Sequence, residues 1–324
     1  MTDPVLRVSG LQTYFETRDG VLRAVDDVSF EVGRGEIVGL VGESGSGKSV
    51  IGFSIIGLID SPGRIVGGSI QFAGEDLTRL DEAHLRDIRG NRLSMIFQDP
   101  MMTLNPVLRI DTQMFEAIAA HRRVSQDEKR KLAVAALQQV GISSPESRLK
   151  AYPHEFSGGM RQRIAIAIAL LNKPDLIIAD EPTTALDVTI QAQVLSEVQS
   201  LCAEVGSALI WITHDLAIVA GLADRIIVQY AGRIVEQGPV DDILDDPRHP
   251  YTRGLLDSVP GNQARHGRLW QIPGMMPSPL DLPEGCAFAS RCPRAAELCK
   301  TRPDSTRAEN GREYFCHFPY GVET

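Results

Sequence analysis

Eight contiguous residues, Gly42-Glu43-Ser44-Gly45-Ser46-Gly47-Lys48-Ser49, fit the pattern G-x-x-x-x-G-K-[ST]. Glycines at that spacing let the backbone curl so that successive N–H groups face one anion, reinforced by the N-terminus of a following helix. Lys48 is then placed to reach the β- and γ-phosphates of a nucleotide, and the Ser49 hydroxyl to ligate Mg2+. A second stretch, LIIAD (176–180), sets a carboxylate, Asp180, at the tip of an apolar strand. In phosphate-loop enzymes that carboxylate holds Mg2+. Glu181 follows directly and can polarise an attacking water, a role worth about 10²–10⁴-fold in rate. Together the two stretches imply hydrolysis of a nucleoside triphosphate.

Two further clusters carry chemistry. In FSGGMRQR (156–163), Ser157, Gly158 and Gly159 bring a hydroxyl and bare backbone N–H groups to a helix start, a second anion site. Near the C-terminus Cys286, Cys292, Cys299 and Cys316 fall within 31 residues, whereas the preceding 285 hold only Cys202. A single cysteine across the main body fits a reducing compartment, so a disulfide tail is not expected. The spacing C-x5-C-x6-C-x16-C lacks the tight C-x2–4-C knuckles of structural zinc sites. Four widely spaced thiolates suit a [4Fe–4S] cluster; zinc and free thiols are the alternatives. Cys202 reads as a small core residue, and His317 as exposed.

These groups need a scaffold. Residues 5–32 alternate apolar and polar positions around the turn RDG (18–20), an antiparallel strand layer. GEIVGLVG (35–42), PDLIIADEP (174–182) and ALIWITH (208–214) are short apolar runs of the buried-strand type. RIIVQYAGRIVEQG (225–238) reads as a hairpin. Between about 110 and 170 the pattern turns helical, with Ser125 and Glu128 as a capping box and Gly141 as a stop. Another helix carries Ile190, Val194, Val198, Leu201, Cys202 and Val205 on its apolar side. Strands alternating with helices imply an α/β fold with a parallel-sheet core, an antiparallel layer and an inserted helical subdomain. From Pro260 prolines punctuate a stretch with little periodicity, read as a linker or irregular extension.

Composition excludes several classes. With 43% apolar and 23% charged residues the chain is an ordinary globular sequence. A net charge of −9 argues against nucleic acid as a partner. The longest apolar run, Ile164–Leu171, has eight residues, against about twenty for a membrane span. MTDPVLRVSG shows no basic-then-apolar leader, so no secretory signal is expected.

FSGGMRQR, the phosphate loop, ADEP (179–182) and ITHD (212–215) together resemble the ABC-type ATPase family over roughly residues 4–257. The family pattern LSGGQ is departed from at Phe156 and Met160. The resemblance implies two cassettes sandwiching two ATP molecules, so that Ser157, Gly158 and Gly159 serve a partner's nucleotide. It further implies that Gln98, in IFQDP, contacts Mg2+ or the attacking water. Asp187, in TALD, would lie at the interface between cassettes, and His214 would contact the γ-phosphate. Phe15 is the expected adenine-stacking aromatic, with Tyr14 as runner-up.

FQDPMMTLNP (97–106), HPYTRGLL (249–256) and IPGMMPSPLDLPEGCAFASRCP (272–293) resemble more narrowly the D-type ATPases of bacterial oligopeptide/dipeptide importers. That resemblance covers the tail as well, residues 258–324, and points to a [4Fe–4S] cluster beside ATP and Mg2+. It implies a cassette heterodimer with an F-type ATPase, two membrane permeases and an extracytoplasmic binding protein. The subunit would sit at the cytoplasmic face of the inner membrane, held by the permeases. A related importer for nickel, glutathione or another small solute is the alternative, and a soluble ABC ATPase a more distant one.

Overall fold

A computed structural model describes residues 3–183, 188–259, 271–308 and 310–322, with only the backbone of 188–190. Asp187 and the expected linker start at Pro260 lie outside the described residues. The chain divides into two compact units. One comprises Met1–Val5, Gly33–Glu36 and Arg79–Ile210; the other comprises Leu6–Val32, Ile37–Thr78 and Trp211–Thr324.

In the second unit, strands Leu6–Thr17 and Gly20–Val32 pair antiparallel. They join Gly63–Phe72 and Glu75–Asp76 in a four-stranded sheet. In the first strand Leu6 and Val8 are buried on one side of a break in register and Leu11 and Thr13 on the other, each pair keeping the two-residue spacing of a strand. The strand Ile37–Val41 is buried throughout and runs parallel to Arg225–Tyr230. That strand makes the expected hairpin with Arg233–Pro239. A continuous apolar run is what a strand covered on both faces needs.

The C-terminal region belongs to this unit too. It has short 3-10 turns at Ala289–Arg291 and Glu297–Lys300. Its strand Glu313–Tyr314 pairs antiparallel with Arg233–Pro239 and with Thr306–Arg307. Two-residue strands leave no periodicity, which is why the sequence shows only an irregular tail. Burial anchors it: Phe288 packs edge-on against Tyr230 at 5.2 Å and beside Tyr251 at 5.4 Å between centroids.

The first unit holds the helical block. Helices Ile110–Ala119, Gln126–Gln139, Pro145–Arg148 and Gly158–Leu170 fill the expected span. Ser125 caps the second by accepting the Glu128 N–H at 3.2 Å. The wholly buried strands Leu93–Ile96 and Leu176–Asp180 run parallel. Helix Val188–Val205 buries Val194, Val198, Leu201 and Cys202. Strand Ala208–Thr213 carries the chain on into the second unit. The strands Gly63–Phe72 and Leu93–Ile96 and the helix Glu82–Ile88 escaped the sequence reading; the first mixes Gly and exposed polar residues and presents no clean alternation.

Candidate functional site

The phosphate loop follows Ile37–Val41 and opens into the helix Lys48–Ile56. Its backbone path depends on two glycines. A Cβ on Gly42 would lie 2.2 Å from the Gln229 carbonyl oxygen, and one on Gly47, at φ +99°, 2.1 Å from that of Ala24. Lys48 is buried, and its Nζ donates to the Gly42 and Glu43 carbonyls, both at 2.9 Å. The ammonium is thus held inside the loop. Ser49 is half-buried on the first helical turn, and Ser44 and Gly45 are exposed at the loop tip. Ser46 Oγ is buried without a hydrogen-bond partner among the described residues. A phosphate oxygen would supply one, as the unmet polar atom in this cradle requires.

Two groups that the sequence reading missed bond this loop from outside, and a third lies near it. The Glu43 N–H donates to the Tyr251 hydroxyl at 2.8 Å. Arg291 Nη1 donates to Glu43 Oε2 at 2.9 Å. The Met276 methyl comes within 3.6 Å of a Cβ built on Gly45. Tyr251 and Met276 stand in stretches read only for their family likeness, and Arg291 in the one read for its cysteines. No spacing rule links any of them to a loop more than 200 positions away in the chain.

Phe15 is half-buried, its ring packed over Gly63. Tyr14 is committed elsewhere: its hydroxyl donates to Asp26 Oδ1 at 2.7 Å, and burial with that carboxylate beside it raises its pKa to about 12. Arg233 also pairs with Asp26, at 2.7 Å. His214 is exposed just past Ala208–Thr213, beside Asp215, which caps the next short helix.

In the first unit Asp180 ends its strand fully buried, and Glu181 follows at φ +42°. A non-glycine residue held in that region is strained, a condition that clusters at functional sites. Gln98 is exposed two residues past Leu93–Ile96. Ser157 caps the 13-residue helix Gly158–Leu170 by accepting the Met160 N–H at 3.3 Å. Space around a Cβ on Gly158 is open, so this helix start is accessible to an anion. Phe156 is buried, with the Arg148 guanidinium 5.7 Å above its ring.

The four tail thiols gather. Cys316 lies within electrostatic reach of Cys286, Cys292 and Cys299, as Cys292 does of Cys299. Burial pushes the thiol pKa of Cys286 and Cys292 up and that of Cys316 to about 12. Opposing this, a backbone N–H two residues on donates to each sulfur: Phe288 to Cys286, Arg294 to Cys292 (3.4 Å) and Phe318 to Cys316. Such donors stabilise thiolates. Among the described residues no group of three or more His, Cys, Asp or Glu is placed to hold a single metal ion. One zinc would need every sulfur about 2.3 Å from a common point.

Comparison with known proteins agrees with this geometry. The ABC transporter family profile matches residues 25–184, and that of the oligopeptide/dipeptide transporter C-terminal region matches 235–299. The chain is 49% identical to the oligopeptide transport ATP-binding protein AppD of Bacillus subtilis, over 96% of each chain. It is 46% identical to the dipeptide transport ATP-binding protein DppD of Escherichia coli, over 97% of each. A dimeric post-hydrolysis structure of the ATP-binding cassette MJ0796 with ADP and Pi superposes at a TM-score of 0.66 and 26% identity, covering 72% of this chain and 98% of that one. With a buried lysine inside a glycine-shaped phosphate loop and relatives that match it nearly end to end, the chain belongs to the ABC transporter ATP-binding proteins.

Proposed function

We propose that this chain is the ATP-hydrolysing subunit that powers di- and oligopeptide uptake across the bacterial inner membrane. The observation that carries this reading is similarity over nearly the whole chain, tail included, to proteins named for oligopeptide and dipeptide transport. Lys48 and the backbone N–H groups of the loop Gly42–Ser49 bind the phosphates, the Glu43 side chain taking no part. Ser49, Asp180 and Gln98 would each be a Mg2+ contact, the ion neutralising phosphate charge when bound. Glu181 polarises the attacking water and His214 contacts the γ-phosphate. Ser157, Gly158 and Gly159 serve the nucleotide of a partner cassette, and Asp187 lies at that interface. Phe15 stacks on adenine; its half-open ring suits the role better than Tyr14, whose hydroxyl is tied to Asp26.

The partner cassette is a related F-type chain, and the assembly includes two permeases and an extracytoplasmic binding protein that selects the solute. On the first unit Met102, Val107 and Tyr152 are exposed apolar residues close in sequence to Gln98 or the helical block, suited to a permease contact. No helix among the described residues is long and apolar enough to cross a membrane; the permeases would hold the chain at the cytoplasmic face. We divide the chain into an ATPase domain, residues 4–257 with the helical subdomain at about 110–170, and an extension, 258–324. Cys286, Cys292, Cys299 and Cys316 would hold a [4Fe–4S] cluster whose ligation supplies folding free energy to a segment poor in regular structure.

The test is phosphate release by the assembled importer. Peptide-loaded binding protein should stimulate hydrolysis, and Glu181→Gln should lower it by about 10²–10⁴-fold. Hydrolysis indifferent to peptide would refute the transport reading. Anaerobic purification with iron and acid-labile sulfide analysis addresses the extension; stoichiometric zinc without sulfide would refute the cluster.

A further inference from the structure

Glu43 places a carboxylate inside a loop built to receive a polyphosphate. That charge is a liability: unpaired, it would repel the anion the loop must hold. The tail answers it with Arg291, whose side chain is only 6% exposed. Its Nη1 donates to Glu43 Oε2 at 2.9 Å and to the Tyr230 hydroxyl at 3.2 Å, and its Nε donates to the Pro273 carbonyl at 2.9 Å. The guanidinium also lies over the Tyr230 and Phe288 rings, 5.7 and 5.9 Å from their centroids. Arginine is therefore locked before it meets Glu43. The other atoms of Glu43 are fixed as well: its N–H by Tyr251 at 2.8 Å, and its carbonyl by Lys48 Nζ at 2.9 Å.

We propose that Arg291 is a positioning residue for the nucleotide phosphates, neutralising Glu43 and holding the loop carbonyl that orients Lys48. The C-terminal extension is thereby part of the nucleotide site. An ATPase core stripped of it would carry an uncompensated negative charge at its phosphate loop.

This inference rests on Gly42–Ser49 being the phosphate site, and the test separates the two. Mant-ATP binding to the full chain is measured by fluorescence at low and moderate salt, with ATPase kinetics of the assembled complex alongside. Arg291→Gln should weaken binding about tenfold and raise KM for ATP with little change in kcat, the loss shrinking as salt screens the exposed carboxylate. Glu43→Gln in that background should restore binding to within about threefold of the parent. Damage to tail packing alone could not be repaired that way. Glu43→Gln by itself, which leaves the arginine facing the phosphates, should bind at least as tightly as the parent, and it tests the idea even if Arg291→Gln fails to fold. A double variant as weak as Arg291→Gln, or a tenfold loss in Glu43→Gln alone, would overturn the proposal. Lys48→Ala should abolish binding in every background; if it binds normally, the phosphate-site reading falls together with this one.

Discussion

Replacing Arg312 by methionine should destabilise the protein far more than a surface substitution. Glu236, on the hairpin strand Arg233–Pro239, is fully buried. Its Oε1 accepts from Arg312 Nη2 at 2.6 Å and Nε at 3.2 Å, and from the Arg248 N–H at 2.9 Å. Its Oε2 accepts from the His249 N–H at 3.0 Å. Among the described residues Arg312 supplies the only positive charge bonded to this carboxylate, and its own side chain is 5% exposed. Breaking a buried pair from one side strands the remaining charge, at a cost of about 3–5 kcal/mol. For a protein of this size that lowers Tm by roughly 4–7 °C. Removing the charge as well, in Glu236→Gln/Arg312→Met, should recover part of the loss, because no buried charge is left stranded, although the amide oxygen then accepts from only one of the two backbone N–H groups. Thermal unfolding of the full chain followed by circular dichroism reads both. An Arg312→Met variant within about 1 kcal/mol of the parent, or a double variant less stable than the single one, would refute the reasoning.

Three other outcomes are expected. Glu181→Gln should lower kcat by about 10²–10⁴-fold while ATP still binds, measured by phosphate release and mant-ATP titration. Gly47→Ala must move the Ala24 carbonyl, 2.1 Å from the new Cβ, and strains a residue at φ +99° by about 1–2 kcal/mol; ATP binding should fall at least tenfold. His249 is buried, which lowers its pKa to about 3, against about 6.5 unfolded. Between those values only the unfolded chain takes up the proton. This contribution to stability is therefore complete above about pH 6.5 and is lost as pH falls toward 3, by up to about 1.4 kcal/mol per unit. Urea midpoints at pH 7 and 5 should show that slope, and His249→Asn should flatten it.

Contiguous chemistry was legible in the one-dimensional string. The glycine-rich loop opening a helix at Lys48, Asp180 at a strand tip and Ser157 capping a helix are each arrangements of neighbours in sequence, because helix starts and strand tips are local features. Buried strands such as Ile37–Val41 and Leu176–Asp180 announced themselves as unbroken apolar runs. The crowding of four cysteines was equally plain, and the fold brings those thiols within electrostatic reach of one another.

What only the tertiary structure decided is which distant groups complete these local ones. Arg291 and Glu43 are 248 positions apart, Tyr251 and Glu43 208, and Arg312 and Glu236 76. Periodicity reports which face of an element is buried, and a charged residue read that way looks like solvated surface whether or not a partner waits for it. Glu43 in sequence is one of the variable positions of a glycine-rich loop. Folded, it is the point where the C-terminal extension grips the phosphate site. Such a pairing rests on three-dimensional proximity and low local dielectric, neither of which leaves a trace in the spacing of residues along the chain.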